Sequence, residues 1–130
     1  MANVPALPIT EPQWPTAAAG YGAEAAAIAS LKWHELVGVL AGRGVVLSEV
    51  ATALELYAIT YARMVLAERH IAEHGAIVKA PRTGVPQHNP NLTISNACQA
   101  RLMKLDKQLG LVAAAGDGPK PARKGNGLRL

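Results

Sequence analysis

At 130 residues and a net charge of +4, the chain has room for one domain but not for two ordinary ones. It has no Phe, two Trp and three Tyr, so alanine, Leu, Val and Ile supply most of its apolar half, a composition that favours helices meeting at small-residue seams. The single cysteine, Cys98, excludes an intrachain disulfide and suits a reducing cytosol. No run nears the roughly 18 apolar residues of a membrane span.

Residues 1–22 read as a disordered Pro/Ala-rich arm. Pro5, Pro8, Pro12 and Pro15 fix φ and remove donors, which stops helix and sheet alike and breaks any secretory h-region. Trp14 within it is either a docking handle or a residue of local packing. The folded domain is expected over residues 23–111. Its first helix spans Ala23–Ala41, with Trp33, Leu36, Val37 and Leu40 on one face. Gly42 and Gly44 stop it, and the short link to Leu47 folds the next helix back beside it.

Ser48 is the expected N-cap of a second helix that runs to His74, with Glu49 near its positive end. The 27 residues from Ser48 to His74, at about 1.5 Å each, make roughly 40 Å. Val50, Leu54, Tyr57, Tyr61, Met64 and Ile71 form its apolar stripe. A second seam of Ala51, Ala58, Ala62, Val65 and Ala72 flanks it. Two apolar faces on one long helix need more neighbours than a short chain supplies. Leu54, Tyr57, Tyr61, Met64, Val65 and Ile71 are therefore the expected oligomer interface.

Gly75 caps that helix. Short edge strands are expected at Ile77–Lys79 and Val85–Gln87, around the turn Ala80-Pro81-Arg82-Thr83-Gly84. A two-stranded hairpin is barely stable alone, so it must dock on helices or on another subunit. Asn89 caps the last helix and Pro90 fits its first turn. Ile94, Cys98, Leu102, Leu105 and Leu109 make its buried stripe, and Gly110 ends it. Residues 112–130 then form a disordered basic tail.

The residue patterns that carry catalysis are missing. There is no GxxxxGK[ST] phosphate loop and no cysteine pair for zinc. His70 and His74 have ligand spacing, with His88 a third histidine nearby, but the HExxH order is missing; a polar helix end is the ordinary reading. Glu68 and Glu73 lie about 140° apart around a helix and do not face each other. No enzyme, cofactor or metal is expected. What remains is charge. Through Gly110 nine Lys/Arg meet eight Asp/Glu, and from Leu111 onward four meet one. Lys79, Arg82, Lys104 and Lys107, with Lys120, Arg123, Lys124 and Arg129 of the tail, are the candidate phosphate contacts. A helix-turn-helix over Trp33–Tyr61 would add Lys32 and Arg43. Few aromatics are available to stack bases, which argues against single-strand recognition.

The order helix, stop, basic hairpin, restart, helix over residues 61–111 resembles the small subunit of the terminases that package DNA in tailed bacteriophages. The matching residues are Tyr61-Ala62-Arg63, Ala67-Glu68, Ile71-Ala72-Glu73-His74-Gly75, Val78, Pro81, Gly84, Asn89-Pro90, Ile94-Ser95-Asn96-Ala97, Lys104-Leu105-Asp106 and Leu109-Gly110-Leu111. At Arg63-Met64-Val65 the chain departs from the family pattern, where a more basic or Trp-containing run is expected. From Ala25 to Thr60 the resemblance is one of pattern alone. It implies a mainly α protomer that has a helical hairpin with one long helix, a short β-hairpin and a C-terminal helix. Protomers of this kind are expected to close into a ring of roughly eight to eleven subunits. It further implies a DNA-recognition role in the host cytoplasm, with double-stranded viral DNA and the terminase large subunit as partners. The other readings are a structural or adaptor protein of the phage head and a helix-turn-helix regulator. The regulator would be a dimer.

Overall fold

In the computed structural model, which describes residues 9–14 and 22–112, helix α1 runs over Gly22–Gly42. Its buried residues Ala25, Ala29, Trp33, Leu36, Val37 and Leu40 recur at helical spacing on one side. Trp33 and Leu40 are wholly enclosed, and each such side chain contributes on the order of 2 kcal/mol of burial. The helix ends in a Schellman motif, with Gly44 N–H donating to Ala41 O at 3.0 Å and Val45 N–H to Leu40 O at 3.0 Å.

The turn that follows corrects one expectation. Leu47–Glu49 form a 3-10 turn, and α2 spans Ala51–His74 with Val50, not Ser48, at its N-cap. Leu47 is the cause. Its side chain is buried, which draws the chain into a tight turn before α2 starts and leaves Ser48 exposed.

α2 is the middle layer, packed on α1 along one side and on α3, Pro90–Gln108, along the other. The fully buried positions of α2 are Leu54, Ala58, Ile59, Thr60, Ala62 and Ala67. Of the stripe expected from the sequence, only Leu54 is enclosed; Val50, Tyr57, Tyr61, Met64 and Ile71 are half-buried. Small residues explain the difference. A helix flanked on two sides buries its alanines where the neighbouring backbones come closest, and its long side chains lean out over the edges. On α3, Cys98, Leu102, Leu105 and Leu109 are buried as the spacing requires. Ile94 is not: it is 44% exposed, and Ser95 takes the inward position at 1%. The Ser95 hydroxyl donates to the Glu68 carboxylate and accepts from Gln99 Nε2 at 3.0 Å, so the buried polar group is satisfied.

Gly75 ends α2 at φ 87°, a conformation an L side chain rarely adopts, with its N–H donating to Ile71 O at 2.7 Å. Strands β1, Ile77–Lys79, and β2, Pro86–His88, pair antiparallel, with Ile77 opposite His88 and Lys79 opposite Pro86. β2 lies one residue later than the sequence suggested, and proline accounts for it. Ala80 N–H donates to Val85 O at 2.8 Å and Asn89 N–H to Ala76 O at 2.8 Å. By alternation, Pro86 then sits at a non-hydrogen-bonded pair, where its missing N–H costs nothing. Gly110, at φ 69°, closes α3 in a second Schellman motif, with Leu111 N–H on Asp106 O at 2.8 Å. Leu109 and Leu111 carry the chain back onto the main core beside α1.

Part of the expected arm is held in place. Ile9 and Trp14 pack against the core, and Glu11 accepts from Trp14 Nε1 at 2.7 Å and meets His34 Nε2 at 2.8 Å. Prolines forbid regular structure here but not docking. An indole with a carboxylate three residues before it supplies both an apolar body and a partner for its N–H.

Candidate nucleic-acid interface

The hairpin presents two of the expected cations. Lys79 ends β1 and Arg82 sits in the turn, both exposed. The turn is tied by Gly84 N–H to Ala80 O at 2.9 Å and by Val85 N–H to Thr83 Oγ1 at 3.2 Å. The hairpin has little cover from the helices: Ile77 and Val85 are 55% and 57% exposed.

Its root is fixed by Asn89, which is buried. Asn89 Nδ2 donates to Gly75 O at 3.0 Å and lies 3.0 Å from His70 Nδ1, while Oδ1 accepts from Asn91 N–H at 2.9 Å. One side chain therefore caps α3, binds the last carbonyl after α2 and holds the hairpin between them. His70 and His74 stack with ring centroids 4.2 Å apart, and His70 Nδ1 faces Asn89. Among the described residues no three His, Cys, Asp or Glu side chains group as metal ligands.

Lys104 and Lys107 are exposed near the other end of α3. They lie 14 and 17 residues after Pro90, roughly 21–26 Å along the helix. The hairpin pair and the α3 pair thus form separate basic points, not one patch. Arg43 belongs with the second: its Nη1 donates to Gly110 O at 2.7 Å, which ties the α1–α2 turn to the end of α3. Lys32 is engaged inside the protomer, 3.1 Å from Glu35 and 4.2 Å above the Tyr61 ring. Lys120, Arg123, Lys124 and Arg129 lie outside the described residues.

Two arginines that sequence reasoning left out of the DNA surface share a concavity. Arg63 of α2 and Arg101 of α3 line a pocket of about 220 Å³ with Thr60, Ile94, Ala97 and Cys98. Periodicity places each arginine only on the flank of its own helix. Their meeting depends on how α2 and α3 pack, which no single-helix pattern reveals. Burial pushes the Cys98 thiol up, against the opposing pull of Arg63 and Arg101, which favours the neutral thiol over the thiolate. Burial, and then the Asp106 carboxylate that pairs with its hydroxyl, push Tyr57 up to about 12.

Of the proposed interface residues, Leu54 is enclosed within its own protomer and cannot face a neighbour. Tyr57, Tyr61, Met64, Val65 and Ile71 keep part of their surface open. Tyr61 and Val65 also line a groove of about 240 Å³ against α1, with Ile28, Leu31, Lys32, Glu35 and Arg69.

A family model described as phage terminase, small subunit, matches residues 29–120. The chain belongs to that family, and the helical hairpin, short antiparallel ribbon and closing helix are its form here. Comparison with curated proteins and with solved structures gave no match. No helix among the described residues is long and apolar enough to cross a membrane.

Proposed function

We propose that this chain is the non-catalytic, ring-forming component that recognises viral DNA in the host cytoplasm and regulates the large ATPase/nuclease subunit during genome packaging. The family match over residues 29–120 carries this reading. Two features of the protomer support assembly. The hairpin exposes Ile77 and Val85 with little helix beneath them, and a two-stranded ribbon of this kind gains stability from a neighbour. The open sides of Tyr57, Tyr61, Met64, Val65 and Ile71 give α2 an outward apolar edge. In a ring, the Lys79/Arg82 and Lys104/Lys107 points repeat around the assembly. Weak phosphate contacts from each protomer then add up to useful avidity. Sequence choice comes in part from bending of the duplex against that repeating surface.

Fluorescence anisotropy with viral duplex at low salt, run beside ATPase assays of the large subunit, tests the proposal. Expected are salt-sensitive binding and a change in large-subunit ATPase rate. A chain that binds neither viral nor generic duplex and leaves the ATPase rate unchanged would instead be an adaptor of the phage head.

A further inference from the structure

The pocket between α2 and α3 has the parts of an anion seat. Its walls bring together the side chains of Arg63 and Arg101, and none of the six lining residues is acidic. Thr60 is 1% exposed, and its Oγ1 has no hydrogen-bond partner among the described residues. A buried hydroxyl without a partner is uncommon and calls for an explanation. Thr60 lines the same pocket as Arg63 and Arg101. We propose that this pocket seats a phosphate group, with the two guanidiniums balancing its charge and the Thr60 hydroxyl donating to one of its oxygens.

The volume fits. A space of about 220 Å³ equals about seven waters at roughly 30 Å³ each, enough for an oxyanion and the atoms that carry it. Arginine forks match phosphate geometry through paired N–H donors. The surroundings favour a DNA backbone over the carboxylate of a protein partner. Lys104 and Lys107 follow Arg101 at three-residue steps and are exposed. From Arg101 to Lys107 the helix advances roughly 9 Å, the rise of between two and three base pairs at about 3.4 Å each. A strand entering at the pocket would therefore find further cations along α3. Assignment to a DNA backbone rests on the DNA-binding role proposed above; the phosphate seat itself does not.

The test uses the full chain and two variants, Arg101→Gln and Thr60→Val. The first readout is the thermal midpoint in sodium phosphate against sodium chloride at matched ionic strength. A rise of a few degrees is expected for the parent and its disappearance in both variants; the variants also correct for general salting effects of phosphate. The second readout is alkylation of Cys98, the single thiol of the chain, which phosphate and duplex DNA should each slow. The third is duplex affinity against salt, where Arg101→Gln should flatten the log–log slope by about 0.9 for each phosphate no longer neutralised. If phosphate shifts neither midpoint nor alkylation while the parent still binds duplex with an unchanged slope in Arg101→Gln, the seat is refuted and the DNA role stands. If phosphate acts as expected but no duplex binds, the seat stands for free phosphate and the DNA role fails. Protection of Cys98 by polyglutamate but not by phosphate overturns the proposal in favour of an acidic protein partner.

Discussion

Replacing Asn89 with alanine should be the most damaging single change among the polar residues, because one side chain serves four groups: the Asn91 N–H, the Asn91 side-chain amide, Gly75 O and His70 Nδ1. Alanine removes the cap on Asn91 N–H, which costs about 1 kcal/mol. It also strands Gly75 O and the His70 ring nitrogen in a part-buried site, adding about 1–3 kcal/mol. The sum is about 2–4 kcal/mol, which for a domain of this size lowers the thermal midpoint by roughly 10–30 °C. Circular dichroism melts at fixed protomer concentration measure this. Asn89→Asp separates the roles. It keeps the acceptor for Asn91 and loses the Nδ2 donor, so it should remain less stable than the parent by at least about 1 kcal/mol. Hydrogen exchange at the β1–β2 ladder should quicken in both variants, since Asn89 fixes the root of the ribbon. A destabilisation below about 1 kcal/mol in Asn89→Ala, or parent-like stability in Asn89→Asp, would refute this reasoning.

Other outcomes follow from the same geometry. Leu54→Asp should abolish folding, since it places a charge at an enclosed position at a cost of several kcal/mol, whereas Tyr61→Asp should leave a helical protomer and reduce assembly; circular dichroism with light scattering distinguishes them. Hydrogen bonds from Ser30 and Trp14, then the His34 contact, lower the Glu11 pKa. A carboxylate lowered on folding stabilises above its unfolded pKa, and that contribution is lost as pH falls through the folded value. Acidification below the ordinary carboxylate range should therefore release residues 9–14, seen in the Trp14 indole N–H resonance, and Glu11→Gln should remove this pH dependence. Deleting residues 112–130, or changing Lys79 and Arg82 to alanine, should weaken duplex binding and flatten its salt slope by about 0.9 for each phosphate left unneutralised, with helicity unchanged. Parent-like binding by both variants would leave the phosphate-binding surface to Lys104, Lys107, Arg43 and the pocket arginines.

Much of this fold can be read from the sequence wherever one residue type has one physical use. Gly75, Asn89, Pro90 and Gly110 stand at the helix ends where they were expected, because their backbone and capping chemistry is local. The stripe of Trp33, Leu36, Val37 and Leu40 is buried because α1 has a single packed side. α2 escaped the same logic. It lies between two helices: Ala58 and Ala62 of the expected second seam are buried, but so are Thr60 and Ala67, and Tyr61 and Met64 lean outward, which the spacing of apolar residues does not encode. Ser95 takes the inward place expected of Ile94 because the Glu68 carboxylate waits on α2 for a hydroxyl, a partner 27 positions away. Of the candidate interface, Lys79, Arg82, Lys104 and Lys107 are exposed as charge alone suggests. Arg43 and Lys32 are engaged within the protomer, and Arg63 and Arg101 meet only through packing.

Solution mass is the most direct test of the proposed assembly. Light scattering on purified protein at micromolar concentration, confirmed by native mass spectrometry, should give one closed species of roughly eight to eleven protomers. A dimer would favour a helix-turn-helix regulator, and either a monomer or a dimer would contradict the ring.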